Sequence, residues 1–369
     1  MCGIEVRKPK CFQFDTFSES FMHIAIISPY SLGPVRGNLI TVNRIAEHLE
    51  RLGINTDILP LDVITRDRLA LRLDEVRPDL ILAFHALLCG EVACQEAERL
   101  GVPCVITTTG GDINDPLFGS YPRTVYAINA ARHVVCFDDA GAAIVLQAFP
   151  GVASRLTTIP QGVACMPLAG RVDSRIPDGA FVALLPAAIR PVKNIEEPLH
   201  ALAGLARAYR NFRLIIAGGV LDNDYAIRVQ ELLSAAPFAV WLGEIPHECM
   251  GDLYARADLV LNCSHNEGMP NSLLEAMAHG RPVVAADIPG NRSLVRDNET
   301  GWLYSGGRAL AGIIEVLMND PARRAEAGKR AKEYVAQHFS PNQEAERYRE
   351  LFCRLLADTP RKIIQERLP

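Results

Sequence analysis

The sequence predicts an α/β protein built as two doubly wound domains in series. Three observations carry that reading. The chain has 369 residues, and at roughly 150 residues per domain that length allows two domains. Apolar, β-rich runs alternate with helix-period stretches along most of it. The alternation stops once, between 161 and 179, and then restarts. Strands that are apolar throughout belong to parallel sheets covered on both faces.

Residues 1–21 fit no element and read as an extension ahead of MHIAIISPY, with Met22 as a candidate natural start. Strands follow at 23–28, 54–59, 79–84, 102–108, 133–137 and 156–159. Helical periods lie between them near 38–52, 66–76, 90–100, 123–131 and 139–148. The stretch QGVACMPLAGRVDSRIPDG (161–179) holds Gly, Pro and Asp without a period and reads as a linker. Strands resume near 180–185, 212–217, 238–242, 258–263 and 282–285, with helices at about 193–209, 222–234, 247–256, 271–279 and 308–337. Tyr348, Leu351, Phe352, Leu355 and Leu356 recur at helical spacing in a last helix over 341–357. The domains are thus 22–165 and 180–340, joined by 166–179 and followed by a terminal segment, 341–369.

Composition excludes several classes. With 49% hydrophobic and 22% charged residues the chain is not disordered. A net charge of −5 argues against a general nucleic-acid binder. No apolar run approaches the length of a bilayer span. Arg7, Lys8 and Lys10 are followed by CFQFDTFSES rather than a signal-peptide core. The 10 cysteines include no C-x-x-C pair. They read as reduced thiols of a cytoplasmic protein. Cys89, Cys104, Cys136 and Cys263 sit in apolar runs, as core residues do. Membrane contact is at most peripheral, through Arg66, Arg68 and Arg72, which read better as a solvated helix face.

Ligands of open α/β sheets bind beyond the carboxyl ends of the strands, so polar residues just after strands are the candidates. Gly33–Asn38 (GPVRGN) follows the first strand. Gly37 and Asn38 stand where helix amides hold a phosphate, or where Asn38 simply caps the helix. His85 ends the strand in LILAFHALLCG and is a ligand or a buried core histidine. In TTTGGDIND, Asp112, Asn114 and Asp115 either bind hydroxyls or cap the next turn.

Arg190-Pro-Val-Lys193 follows the first strand of the second domain. The chain has 6 lysines against 32 arginines, and Lys193 is the only lysine between residues 11 and 328. An Arg/Lys pair at this junction suits a diphosphate. Cations at a helix start otherwise oppose its dipole. In HNEGMPNSLLEAMAHG the loop carboxylate Glu267 precedes a helix that opens at Asn271 or Ser272. Ser272 and Glu275 also have the spacing of a capping box. Carboxylates beside cations point to a ligand with both hydroxyls and anionic oxygens, such as a nucleotide sugar.

The stretch EGMPNSLLE (267–275) resembles the E-x7-E signature of glycosyltransferase family 4, whose fold is GT-B. RPVK (190–193), FRLIIAGG (212–219), VWLGEIPHE (240–248) and DIPGNRSLVRDNETGWLY (287–304) are similar to stretches of the same family. GNLITVNRIAEHL, AFHALLCG and TGGDIND look closest to its glycosyltransferase 1 domain-containing branch. The resemblance implies that Glu275 binds the donor ribose and Glu267 lies near the donor sugar. It implies that Arg190 and Lys193 neutralise the leaving diphosphate. Gly218, Gly219, Glu244, Ile245, Gly268, Met269, Pro270, Asn271 and Ser272 would line the donor, and Gly37 would underlie the diphosphate. The C-terminal helix would cross back onto the first domain.

One departure stands out. The family's T-x-H-G-x-D pattern is Thr108-Thr109-Gly110-Gly111-Asp112 here, without the histidine, which leaves Asp112 and His85 as replacement candidates.

The implied activity is transfer from a nucleoside-diphosphate sugar, a UDP-sugar ahead of a GDP- or ADP-sugar, to a small-molecule, glycan or lipid-linked acceptor. Retention of configuration and no resident cofactor or metal are implied with it. No Asp-x-Asp triplet is placed to hold Mg²⁺ beside a phosphate. A GT-B epimerase and a non-catalytic nucleotide-sugar binder remain as alternatives. A nicotinamide dehydrogenase is disfavoured because no G-x-G-x-x-G follows the first strand.

Overall fold

The computed structural model describes residues 22–31, 37–170 and 173–358. The expected extension over 1–21 and residues 33–36 of GPVRGN lie outside that set.

Two six-stranded parallel sheets organise the chain. The first contains β1 (His23–Ser28), β2 (Asn55–Pro60), β3 (Leu80–Phe84), β4 (Cys104–Thr107), β5 (His133–Cys136) and β6 (Leu156–Thr158), in the order β2-β1-β3-β4-β5-β6. The second contains β7 (Phe181–Pro186), β8 (Phe212–Ala217), β9 (Ala239–Trp241), β10 (Leu259–Asn262), β11 (Val283–Ala286) and β12 (Gly301–Tyr304), in the order β12-β11-β10-β7-β8-β9. The period of two along each strand divides its side chains between cores. Ile24 and Ile26 enter one core while Ala25 and Ile27 enter another. The first of these is continuous between the sheets, taking Val182, Leu184 and Val260 from the second sheet and Tyr348 and Phe352 from the C-terminal helix.

Strand order reverses between β1 and β3 in the first sheet and between β7 and β10 in the second. Connections leave such a point in opposite directions and open a crevice at the strand ends. Gly37 and His85 follow the first pair; Arg190, Lys193 and Glu267 follow the second.

The structure corrects several elements. Lys193 lies in a 3₁₀ turn, Pro191–Lys193, and the helix expected from 193 starts at Glu196 and breaks at Leu202. The helix expected over 308–337 is two helices, Gly307–Asn319 and Pro321–His338. Asp320 precedes a proline, which excludes it from helical backbone, and its carboxylate caps the second helix by accepting from Arg323 N at 2.9 Å. The edge strand β12 was not expected from the sequence. Asn38 is not an N-cap: the helix Gly37–Arg51 has already begun there.

The helix Pro341–Ala357 lies against the helix Gly37–Arg51 of the first sheet. Arg44 forks onto Glu344 with bonds of 3.0 and 3.1 Å, and the Tyr348 hydroxyl meets Thr107 Oγ1 at 3.0 Å. The Arg66–Arg72 face is partly self-paired. Arg72 bonds Asp57 and Glu75, and Arg66 donates to Gln95. Among the described residues no helix is long and apolar enough to cross a membrane, and the eight described cysteines are free thiols.

Buried His133 meets Thr157 Oγ1 at 2.9 Å. Burial, aided by Arg354, Arg155 and Arg132, pushes its pKa down to about 4. Below the usual 6.5 the unfolded chain takes up a proton that the folded chain refuses, so stability falls as pH drops from about 6.5 towards 4. The loss is on the order of 2–3 kcal/mol. Thermal unfolding of His133→Asn should show a flatter fall in Tm between pH 7 and 5 than wild type; an unchanged fall would contradict the assignment.

Candidate active site

Three carboxylates stand at the strand ends: Asp112 and Glu275 are buried and Glu267 is largely covered. A carboxylate removed from water must be paired and hydrogen-bonded. Glu267, on the loop after β10, has its Oε1 contacted by Lys193 Nζ at 2.5 Å, Ser264 Oγ at 2.6 Å and Asn262 Nδ2 at 3.3 Å. The pair spans the switch point between β7 and β10. Burial pushes the Glu267 carboxyl up, but the Lys193 charge and these three donors win and hold it below the ordinary glutamate range.

Asp112 is the contrast. Its Oδ1 accepts from Thr109 N at 2.7 Å and Ile113 N at 2.9 Å, and its Oδ2 from Ala86 N at 2.6 Å. His85 Nδ1 lies 3.6 Å away. Burial pushes this carboxyl above its ordinary range despite the charge His85 can carry and the three backbone bonds. Neutral donors do not replace a full cation. Oδ1 takes two of these bonds and Oδ2 one, and through them the buried residue anchors the loop after β4.

His85 takes a left-handed backbone, with φ 79°, at the end of β3. Leu88 N donates to its Nδ1 at 3.3 Å, so the neutral ring carries its proton on Nε2. A Cβ built on Gly111 would lie 3.4 Å from Nε2. This nitrogen therefore faces the glycine pair of TTTGGDIND.

The two halves of the crevice meet at glycines. A Cβ on Gly110 would stand 2.3 Å from Gly268 N, and one on Gly290 would stand 2.1 Å from Gly268 O. Nothing larger than glycine fits either contact without moving the loops. Next to them, Thr41 Oγ1 donates to Gln161 Oε1 at 2.7 Å and Gln161 Nε2 donates to Met269 O at 2.8 Å. Asn271 Nδ2 donates to Gly37 O at 3.1 Å and Thr41 Oγ1 at 3.2 Å. Pro270 precedes the helix Asn271–Ala278 in extended backbone. The amides of Gly268, Met269, Asn271 and Ser272 donate to no other described residue, and amides at a helix start attract anions. The exposed Arg190 makes no ion pair among the described residues.

Glu275 does not close a capping box. Its Oε1 accepts from His247 Nε2 and its Oε2 from Tyr254 OH, each at 2.8 Å. Gly218 follows β8, where Trp241 Nε1 donates to its carbonyl at 2.9 Å and its own amide donates to Gly243 O at 2.8 Å. Gly219 O accepts from Ile189 N at 2.8 Å. Glu244 and Ile245 follow in the loop beyond β9, with Ile245 against the shared core.

Residues 170–334 match the family model Glycosyl transferases group 1. Over that segment the chain is similar to the group 1 glycosyltransferases. It is 24% identical over 330 residues to glycosyltransferase 1 domain-containing protein 1 of Xenopus tropicalis, covering 86% of this chain and 94% of that one. It is 27% identical over 317 residues to D-inositol 3-phosphate glycosyltransferase of Kineococcus radiotolerans, covering 74% and 71%. Among solved structures, sucrose-phosphate synthase of Thermosynechococcus elongatus superposes with a TM-score of 0.76 at 20% identity, over 91% of this chain and 100% of that one. Anabaena HepE in complex with UDP-glucose gives 0.73 at 21% identity, over 90% and 100%. The fold is GT-B.

Sequence reasoning did not single out Asn262, Ser264, His247, Tyr254, Gln161 or Gly290. Asn262 ends β10 and Ser264 follows two residues on, which placed both in view just ahead of Glu267. Gln161 and Tyr254 carried no local signal.

The Lys193–Glu267 pair gives a thermodynamic prediction. Lys193→Met leaves a buried carboxylate short of its cation and should cost about 1–3 kcal/mol. Adding Glu267→Gln removes the stranded charge, so the double variant should be more stable than additivity allows. Strictly additive losses in denaturant unfolding at pH 7 would show that the two side chains do not interact.

Proposed function

We propose that this glycosyltransferase moves a sugar from a nucleoside-diphosphate sugar, a UDP-sugar in the first instance, to a hydroxylated acceptor, with retention of configuration and without a metal ion. The observation that carries the reading is convergence at the facing strand ends. Arg190, Lys193, unpartnered amides of 268–272 and two buried carboxylates lie around one crevice. A diphosphate matches the cations and amides, and sugar and ribose hydroxyls match the carboxylates. HepE, described with UDP-glucose, and relatives described as glycosyltransferases support the donor class.

The mechanism follows from where charge grows. As the glycosyl–oxygen bond breaks, negative charge accumulates on the leaving diphosphate. Arg190 meets it with a planar fork and Lys193 with a point charge, while the amides of 268–272 are fixed by the loop. Glu267 holds Lys193 in place beforehand, so little reorganisation remains at the moment of reaction. Gly110–Gly268 contact brings the first domain's loop against the donor loop, where the acceptor enters. There His85 Nε2 faces the incoming hydroxyl. With these cations in place, the diphosphate needs no metal to neutralise it. Acceptors are to be sought among small polyols and sugars first, then glycans and lipid-linked sugars. A cytoplasmic location fits the free thiols.

Incubation with UDP-, GDP- and ADP-sugars and an acceptor panel, followed by NMR of the anomeric proton, tests this. The product should keep the donor's anomeric configuration, EDTA should leave the rate unchanged, and Arg190→Ala should lower kcat about 10²–10³-fold. Inversion or loss of activity in EDTA would overturn the mechanism, and donor isomerisation without acceptor would mark an epimerase.

A further inference from the structure

The carboxylate of Glu275 is held from two directions. Tyr254 comes from the helix Met250–Arg256, is fully buried and stacks on His279 with ring centroids 5.5 Å apart. His247 comes from the short turn His247–Cys249 in the loop beyond β9 and is 35% exposed at its side chain. Each of the two donates one hydrogen bond to a different oxygen. A carboxylate oxygen has two lone pairs, so each oxygen retains one acceptor position. The two remaining positions lie on a plane that neither donor alone would fix. With Tyr254 only, the group could still turn about its last carbon–carbon bond, a broad torsion.

We propose that His247 is a positioning residue: by holding Glu275 Oε1 it aims the carboxylate at a pair of adjacent ribose hydroxyls and makes the site select ribonucleotides over 2′-deoxyribonucleotides. This rests on the assignment of the donor nucleotide to the crevice. His247 shares one loop with Glu244 and Ile245, so the loop beyond β9 sets the orientation of this carboxylate. The hydrogen bond from His247 raises that imidazole above its ordinary pKa range against the effect of burial, and either of its protonation states can keep a proton on Nε2.

The test is calorimetry of the full chain with UDP, GDP and ADP, each beside its 2′-deoxy analogue. A hydrogen bond to a charged group contributes about 1.5–3 kcal/mol. Wild type should therefore prefer the ribonucleotide by roughly 10–150-fold. His247→Ala should shrink that preference to about threefold or less, chiefly by weakening the ribonucleotide, and His247→Gln, whose amide can donate to the same oxygen, should restore most of it. An undiminished preference in His247→Ala overturns the proposal. So does equal weakening of both nucleotides, which would mark His247 as a contact to the base or a general support of the loop. Absence of binding by every nucleotide to wild type overturns the reading of the crevice itself, an outcome distinct from the other two.

Discussion

A carboxylate cannot stay charged inside a protein without partners, and that constraint shapes this molecule. Glu275, Asp112 and Glu344 are buried and Glu267 is largely covered, and each accepts from at least one group distant in sequence. Glu344 draws in Arg44 and ties the last helix to the first sheet. Asp112 gathers the ends of β3 and β4 through three backbone amides. Glu267 pulls Lys193 across the switch point of the second sheet. Glu275 joins the helix Asn271–Ala278 to the helix Met250–Arg256 and the loop before it. Removing a cationic partner, Lys193 or Arg44, leaves a carboxylate whose desolvation no full charge offsets.

The pairs differ in what they leave available. Asp112 binds three backbone amides and holds its loop in place. Glu267 holds Lys193 at the edge of the crevice, and Glu275 keeps one acceptor position free on each oxygen. Structural burial and chemical readiness are thus served by the same bonds. The glycines complete the arrangement, because Gly110 and Gly290 let backbone approach backbone at Gly268 where any side chain would hold the loops apart. A site positioned in this way depends little on loop flexibility and strongly on the two sheets keeping their relation, which the shared core and the Gln161 bridge maintain.

The fold was legible because parallel strands buried on both faces must be apolar throughout, and helices between them must carry one apolar stripe. Breaks inside helices were less visible. Asp320–Pro321 was readable as a break and was passed over because the apolar period continues on both sides. Of the site, Lys193 stood out through its isolation among arginines, and Glu267 through its glycine loop. Their direct pairing was not legible, since they are 74 residues apart. Ser272 and Glu275 carry capping-box spacing, yet Tyr254 and His247 capture the carboxylate; a local pattern gave way to burial. Asp112 read either as a hydroxyl ligand or as a cap of the next turn, because sequence cannot show that three backbone amides point at one side chain.

The account stands on a diphosphate seated between Arg190, Lys193 and the amides of 268–272. The most direct measurement is the binding of uridine, UMP and UDP by calorimetry at low and high salt. Affinity should climb with each phosphate, and the advantage of UDP over uridine should shrink with added salt and in Arg190→Ala. Equal affinity for uridine and UDP, unaffected by salt or by that substitution, would contradict it.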